Sequence, residues 1–167
     1  MRYVGALAFL SAACLIAQTE SSALKPLTFL EGTWDAKTRQ GTAGATAGGT
    51  YTFVRELGGH ILARHSATAD CKGPASYDCD HVDLLYVYQD GSALKAIYFD
   101  NEAHVIHYDV STPDPNKVLF LSDPSIPGPQ FRLAYERKDA VMSGKFQMRM
   151  PGQTEWKSYL EWSGAKK

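Results

Sequence analysis

Two groups of residues in this chain carry side chains able to do chemistry. The first is His107-x-Asp109. Residues two apart on a β-strand share a face, so this spacing would set a carboxylate beside an imidazole and orient it as a general base. His104, Tyr98 and Asp100 stand close by, across the turn Asp100-Asn101-Glu102-Ala103. No nucleophile motif accompanies them: the chain has no G-x-S-x-G, no H-E-x-x-H and no Gly-rich phosphate loop. Solvated hairpin residues account for the same pattern, so His107 and Asp109 stand as candidates and no catalytic residue is assigned. The acidic turn has too few spaced oxygens for a recognised calcium loop.

The second group is the thiols. Residues 1–23, MRYVGALAFLSAACLIAQTESSA, carry one positive charge at Arg2, an apolar run from Val4 to Ala17 and a tail of small residues. That is the pattern of a secretory signal peptide, with Ser21-x-Ala23 as its cleavage site. The run is shorter than the roughly 20 residues a spanning helix needs, so the mature chain is expected to have no transmembrane segment. Removing the leader takes Cys14 away and leaves Cys71 and Cys79 as a pair around the Gly/Pro loop KGPASYD. In a periplasmic or secreted protein they read as a disulfide, with a model-dependent gain of roughly 2.5 kcal/mol for so short a ring. A metal site with His81 or Asp80 added is the rival reading, but the short Cys-x-x-Cys knuckle is absent. Acylation of Cys14 as a lipoprotein is an alternative fate; Ser11 stands where such signals usually carry Leu.

Residues 24–167 are the size of one domain with one core. Arg2 and Glu20 cancel, so the exported chain keeps the formal charge of −1. Near-neutral balance argues against nucleic acid and against an electrostatic hold on anionic lipid.

These elements must position the candidates. A short helical turn with Leu24, Leu27 and Leu30 on one side stops at Gly32, and Trp34 opens a strand. Arg39 to Gly49 hold no large apolar side chain and four glycines, which predicts a loop. Thr50–Leu57 and His60–Thr68 then form a hairpin across Gly58-Gly59. Further strands follow at His81–Gln89, Ser92–Phe99 after Asp90-Gly91, His104–Ser111, Val118–Ser122, and three closing segments around Phe131, Phe146 and Trp156. The count is about ten antiparallel strands in an all-β, up-and-down barrel, since closure removes the sticky edges of an open sheet.

Alternation assigns an inward wall. Phe131, Leu133 and Tyr135 share a face, as do Met142, Phe146, Met148 and Met150, and then Trp156, Leu160 and Trp162. Such a wall serves a filled core or a pocket for a flat or oily ligand. The candidate lining is Trp34, Phe53, Arg55, Tyr86, Tyr98, Phe131, Tyr135, Phe146, Met148 and Trp156. Arg55 and Arg64 are expected outside unless the cavity is partly wet, because buried charges are rare without partners.

The helical turn followed by Gly32-x-Trp34, directly after a leader and before hairpin upon hairpin, resembles the calycin superfamily. That group holds lipocalins, fatty-acid-binding proteins, nitrobindin-like barrels and small bacterial secreted lipocalin-like proteins. The resemblance implies that the Trp34 indole plugs one barrel end, and ten strands are closer to the fatty-acid-binding and nitrobindin types than to eight-stranded lipocalins. Lys157-x-Tyr159 is similar to the Arg-x-Tyr pair that holds a carboxylate in fatty-acid-binding proteins, with the bidentate fork lost and both side chains expected outside. The late-strand histidine with which nitrobindin-like barrels hold haem has no counterpart, because the last of the five histidines is His107. No cofactor is therefore expected. The expected function is non-enzymatic binding of a small hydrophobic or amphipathic molecule. The alternatives are an isomerase or hydrolase using His107 and Asp109, and a filled barrel acting as a cell-envelope interaction module.

Overall fold

A computed structural model describes residues 22–41, 44–75 and 77–167. Residues 1–21, which hold Cys14 and most of the expected leader, lie outside the described residues. A 3₁₀ segment, Ser22–Leu30, precedes ten strands: β1 Gly32–Gly41, β2 Thr46–Glu56, β3 Ile61–Lys72, β4 Val82–Asp90, β5 Ala93–Asp100, β6 Val105–Asp114, β7 Lys117–Ser122, β8 Gln130–Lys138, β9 Val141–Arg149 and β10 Lys157–Lys166. Each strand pairs antiparallel with the next, and β1 pairs with β10, so the sheet closes into an up-and-down barrel. No described helix is long and apolar enough to cross a membrane.

One end is plugged. Leu24, Leu27, Phe29 and Leu30 of the 3₁₀ segment are buried and pack with Trp34, Phe53, Leu85 and Val87 in one core cluster. The Trp34 indole is 1% exposed and donates its N–H to the Leu30 carbonyl at 2.8 Å, which satisfies the one polar atom of a side chain that apolar packing wants buried. Arg55 fastens the same plug: Nε donates to Glu31 at 2.7 Å and Nη2 to the Leu24 carbonyl at 2.9 Å. Between plug and strand the chain reverses at Gly32, whose φ of +113° is open to glycine and strained for other residues.

Three local expectations change. Residues 39–49 are predicted as a loop, yet most of them extend β1 and β2, because β10 and β3 offer backbone partners that outweigh weak strand propensity. The Gly58-Gly59 turn widens into a 3₁₀ turn, Leu57–Gly59, in which Leu57, Gly58 and Gly59 all have positive φ. In β10 a bulge between Ser158 and Leu160 breaks strict alternation, so Trp156 does not share the inward face of Leu160 and Trp162.

The plug makes a test of the barrel possible: Trp34→Ala is expected to lower stability by about 3–5 kcal/mol. Urea denaturation followed by far-UV circular dichroism measures it, and an unchanged midpoint would show that the indole closes nothing.

Candidate functional site

Opposite the plug the barrel is hollow. Eight strands enclose an interior that side chains can fill or that holds one small ligand, and ten enclose a wider one. The cavity measures about 480 Å³ and opens at the end where β3, β5 and β9 finish.

Register sets its polar wall. Arg64 on β3 lies opposite Leu85 on β4, which lies opposite Tyr98 on β5; one row nearer the mouth come Ser66, Asp83 and Asp100. Arg64, Asp83, Tyr98 and Asp100 thus fall on neighbouring inward rows. Arg64 Nη2 donates to Asp83 Oδ1, and Arg64 Nη1 donates to the Tyr135 hydroxyl. Since β3 and β8 stand five strands apart either way around the ring, this second bond spans the lumen. Tyr135 in turn packs edge-on against Phe53, Phe120 and Trp162. Trp162 owes its place to Gly144, its cross-strand partner, where any Cβ would come within 2.0 Å of the indole.

Toward the mouth the network continues. The Cys71–Cys79 disulfide, Cα to Cα 5.4 Å, closes the loop that brings Tyr77 and Asp78 over the opening. His81 Nε2 lies 3.5 Å from Asp83 and 3.2 Å from the Tyr98 hydroxyl, while Nδ1 lies 3.5 Å from Glu102. Tyr98 donates to Asp100 at 3.1 Å, and Asp100 meets His104 Nδ1 at 2.9 Å. Asp78, His81 and Glu102, or Asp100, Glu102 and His104, bring one ligand atom each within 4.8 Å of the others and are the described groups able to hold a metal ion.

Charge follows geometry. Burial opposes the Arg64 charge, but Asp83 and the surrounding phenols outweigh it and raise its pKa. Burial would raise Asp83; Arg64 and His81 hold it below the usual carboxylate value instead. The hydrogen bond to Asp83 raises His81 against the opposing effect of burial. Burial pushes Tyr135 up to about 12 against the pull of Arg64, and Tyr51, Tyr98 and Tyr108 also rise through burial. All four phenols stay protonated at neutral pH.

Of the predicted lining, Tyr98, Phe131, Tyr135, Phe146 and Met148 border the cavity. Trp34, Phe53 and Arg55 belong to the plugged end. Tyr86 points outward, edge-on to His65, because the buried phase of β4 is Asp83, Leu85 and Val87. Trp156 has the Arg132 and Arg149 guanidiniums 4.6 and 4.7 Å from its ring and lies outside the cavity. His107 and Asp109 are exposed on the outer face of β6, with Asp109 paired to Lys95 at 2.5 Å, so they do not join His104, Asp100 and Tyr98. Tyr159, expected outside, reaches the cavity rim at the β10 bulge.

Asp83, His81 and Tyr51 are absent from the expected lining, and Arg64, expected outside unless the cavity is partly wet, lies inside. Their signal was phase: Arg64 alternates with Leu62, and Asp83 with Leu85 and Val87, so each charge keeps step with buried apolar residues.

No protein-family model matches the chain, and no curated protein matches it either. The closed ten-stranded ring is compatible with a calycin-like fold.

Two outcomes test the network. Asp83→Ala strands a buried guanidinium and is expected to cost about 3 kcal/mol or more, whereas Arg64→Met with Asp83→Leu restores most of it; urea melts of the single and double variants decide. His81 has a raised pKa when folded, so its contribution is fully present below the ordinary value of 6.5 and is lost as pH rises through the folded value. The stability difference between wild type and His81→Gln should therefore shrink as pH rises, and a difference that grows with pH reverses the assignment.

Proposed function

We propose that this chain is an exported, calycin-like barrel that binds a small apolar or amphipathic molecule without transforming it. The observation that carries this reading is the cavity of about 480 Å³, plugged at one end and open at the other. Its volume falls within the roughly 300–1,000 Å³ of ordinary small-molecule sites. The apolar wall supports it: Phe131 and Phe146 stack at 5.7 Å and 9°, with Met148, Leu133, Leu160 and Trp162 beside them. A hollow interior favours carriage over a filled interaction module. Export rests on the leader pattern of residues 1–23 and on the disulfide, which fits an oxidising, extracytoplasmic setting. The calycin assignment rests on the helical turn, Gly32-x-Trp34 and strand order together.

A second reading has one observation in its favour. His81 sits at the cavity rim between Asp83 and the Tyr98 hydroxyl, an arrangement that could move a proton on a bound molecule. An enzyme on this barrel would use those residues before His107 and Asp109, which face solvent.

Nile red should bind with a saturable rise in fluorescence. Ala36→Trp, which fills the lining beside β1, should weaken that binding by about tenfold or more while the protein stays folded. Absence of a saturable signal in the wild type would overturn the carrier reading.

A further inference from the structure

The hydrogen-bonding groups on the inner wall are unevenly matched. Asp83 Oδ1 accepts from Arg64, and Oδ2 faces His81 Nε2 at 3.5 Å. Asp100 Oδ1 accepts the backbone N–H groups of Glu102 and His104, and Oδ2 accepts from Tyr98 and lies against His104 Nδ1. The acceptors are engaged.

The donors are not. Arg64 is 5% exposed, and its Nε–H has no partner. Tyr51 is 4% exposed, and its hydroxyl has no hydrogen-bond partner among the described residues. Tyr135 accepts from Arg64 and so retains a proton to donate. These three groups adjoin: the Tyr51 and Tyr135 rings are 5.7 Å apart, and the Arg64 guanidinium carbon is 5.9 Å from the Tyr135 ring. All three residues line the cavity. Buried donors without acceptors are uncommon in folded proteins, and here the residues that carry them border a space for another molecule.

Charge narrows the choice of acceptor. The Arg64 charge is already balanced by Asp83, and Asp78, Asp100 and Glu102 stand at the mouth with His81 and His104 as the basic side chains beside them among the described lining residues. A carboxylate would pass that acidic rim and then lie near Asp83. An ammonium would meet donors where it needs acceptors.

We infer that the cavity selects an uncharged lipophilic molecule bearing an accepting oxygen, such as an ester or ketone, over an anion or cation of the same chain length. Its oxygen lies among Tyr51, Arg64 and Tyr135, and its apolar body lies along Phe131 and Phe146. This rests on the carrier reading above and goes beyond it by naming the ligand class.

The test is displacement of Nile red from the purified protein at neutral pH by methyl decanoate, decanoate, decylammonium and decane, each below its solubility limit. The ester should bind about tenfold or more tightly than each of the other three, the gap expected for hydrogen bonds to a charged donor in a dry site. Tyr51→Phe deletes an unmatched hydroxyl, so it should fold at least as well as wild type; it should weaken the ester roughly threefold or more and leave decane unchanged. Decanoate or decylammonium binding as tightly as the ester, decane matching it, or an ester affinity insensitive to Tyr51→Phe would overturn this inference alone. Failure of Nile red and all four compounds to bind would overturn the carrier reading with it.

Discussion

The interior depends on one polar bridge. Arg64 reaches from β3 to Tyr135 on the opposite side of the barrel while its charge is held by Asp83. A guanidinium taken out of water is tolerated only when it is paired and hydrogen-bonded, so the three residues restrain one another and the strands that carry them. The bridge is flanked by Phe53 and Phe120 on the Tyr135 ring, which continue into the plugged core. Beyond it lies the cavity.

That bridge separates two kinds of packing. On the plug side the 3₁₀ segment supplies apolar residues, Trp34 satisfies its indole on Leu30, and Arg55 on β2 holds the segment through the Leu24 carbonyl and Glu31. There the barrel behaves as an ordinary core. On the mouth side small residues such as Ala36, Thr38, Gly48 and Gly49 on β1 and β2 line the cavity, together with the aromatic rings Phe131 on β8 and Phe146 on β9. Small residues on two strands of a ten-strand ring leave a space with an apolar wall and a polar one.

Much of the architecture was legible in the chain. Strand count and order followed from hairpin signals and alternation, because period-two patterning and turn chemistry act over a few residues, and closure followed from the cost of open sheet edges. Phe131, Tyr135, Phe146 and Met148 were placed on the inner face for the same reason. Legibility failed where phase was broken or overridden. The bulge after Ser158 separates Trp156 from Leu160 and Trp162. Tyr86 looked like lining by its aromatic character, yet Asp83, Leu85 and Val87 set the buried phase of β4. Arg64 was expected outside unless the cavity was partly wet, since buried charges need partners, and its partners lie 19 and 71 residues away along the chain, beyond any local pattern.

The amino-acid sequence alone determined that the chain forms a closed all-β meander with an indole at its amino-terminal end, since those features are set by neighbouring residues and by the cost of open sheet edges. Tertiary structure decided that the barrel is hollow at one end, which charged residues face inward, and which donors lack acceptors. Those properties depend on what stands opposite each residue across the lumen. Register and ring closure fix that, and they do not exist until distant strands meet.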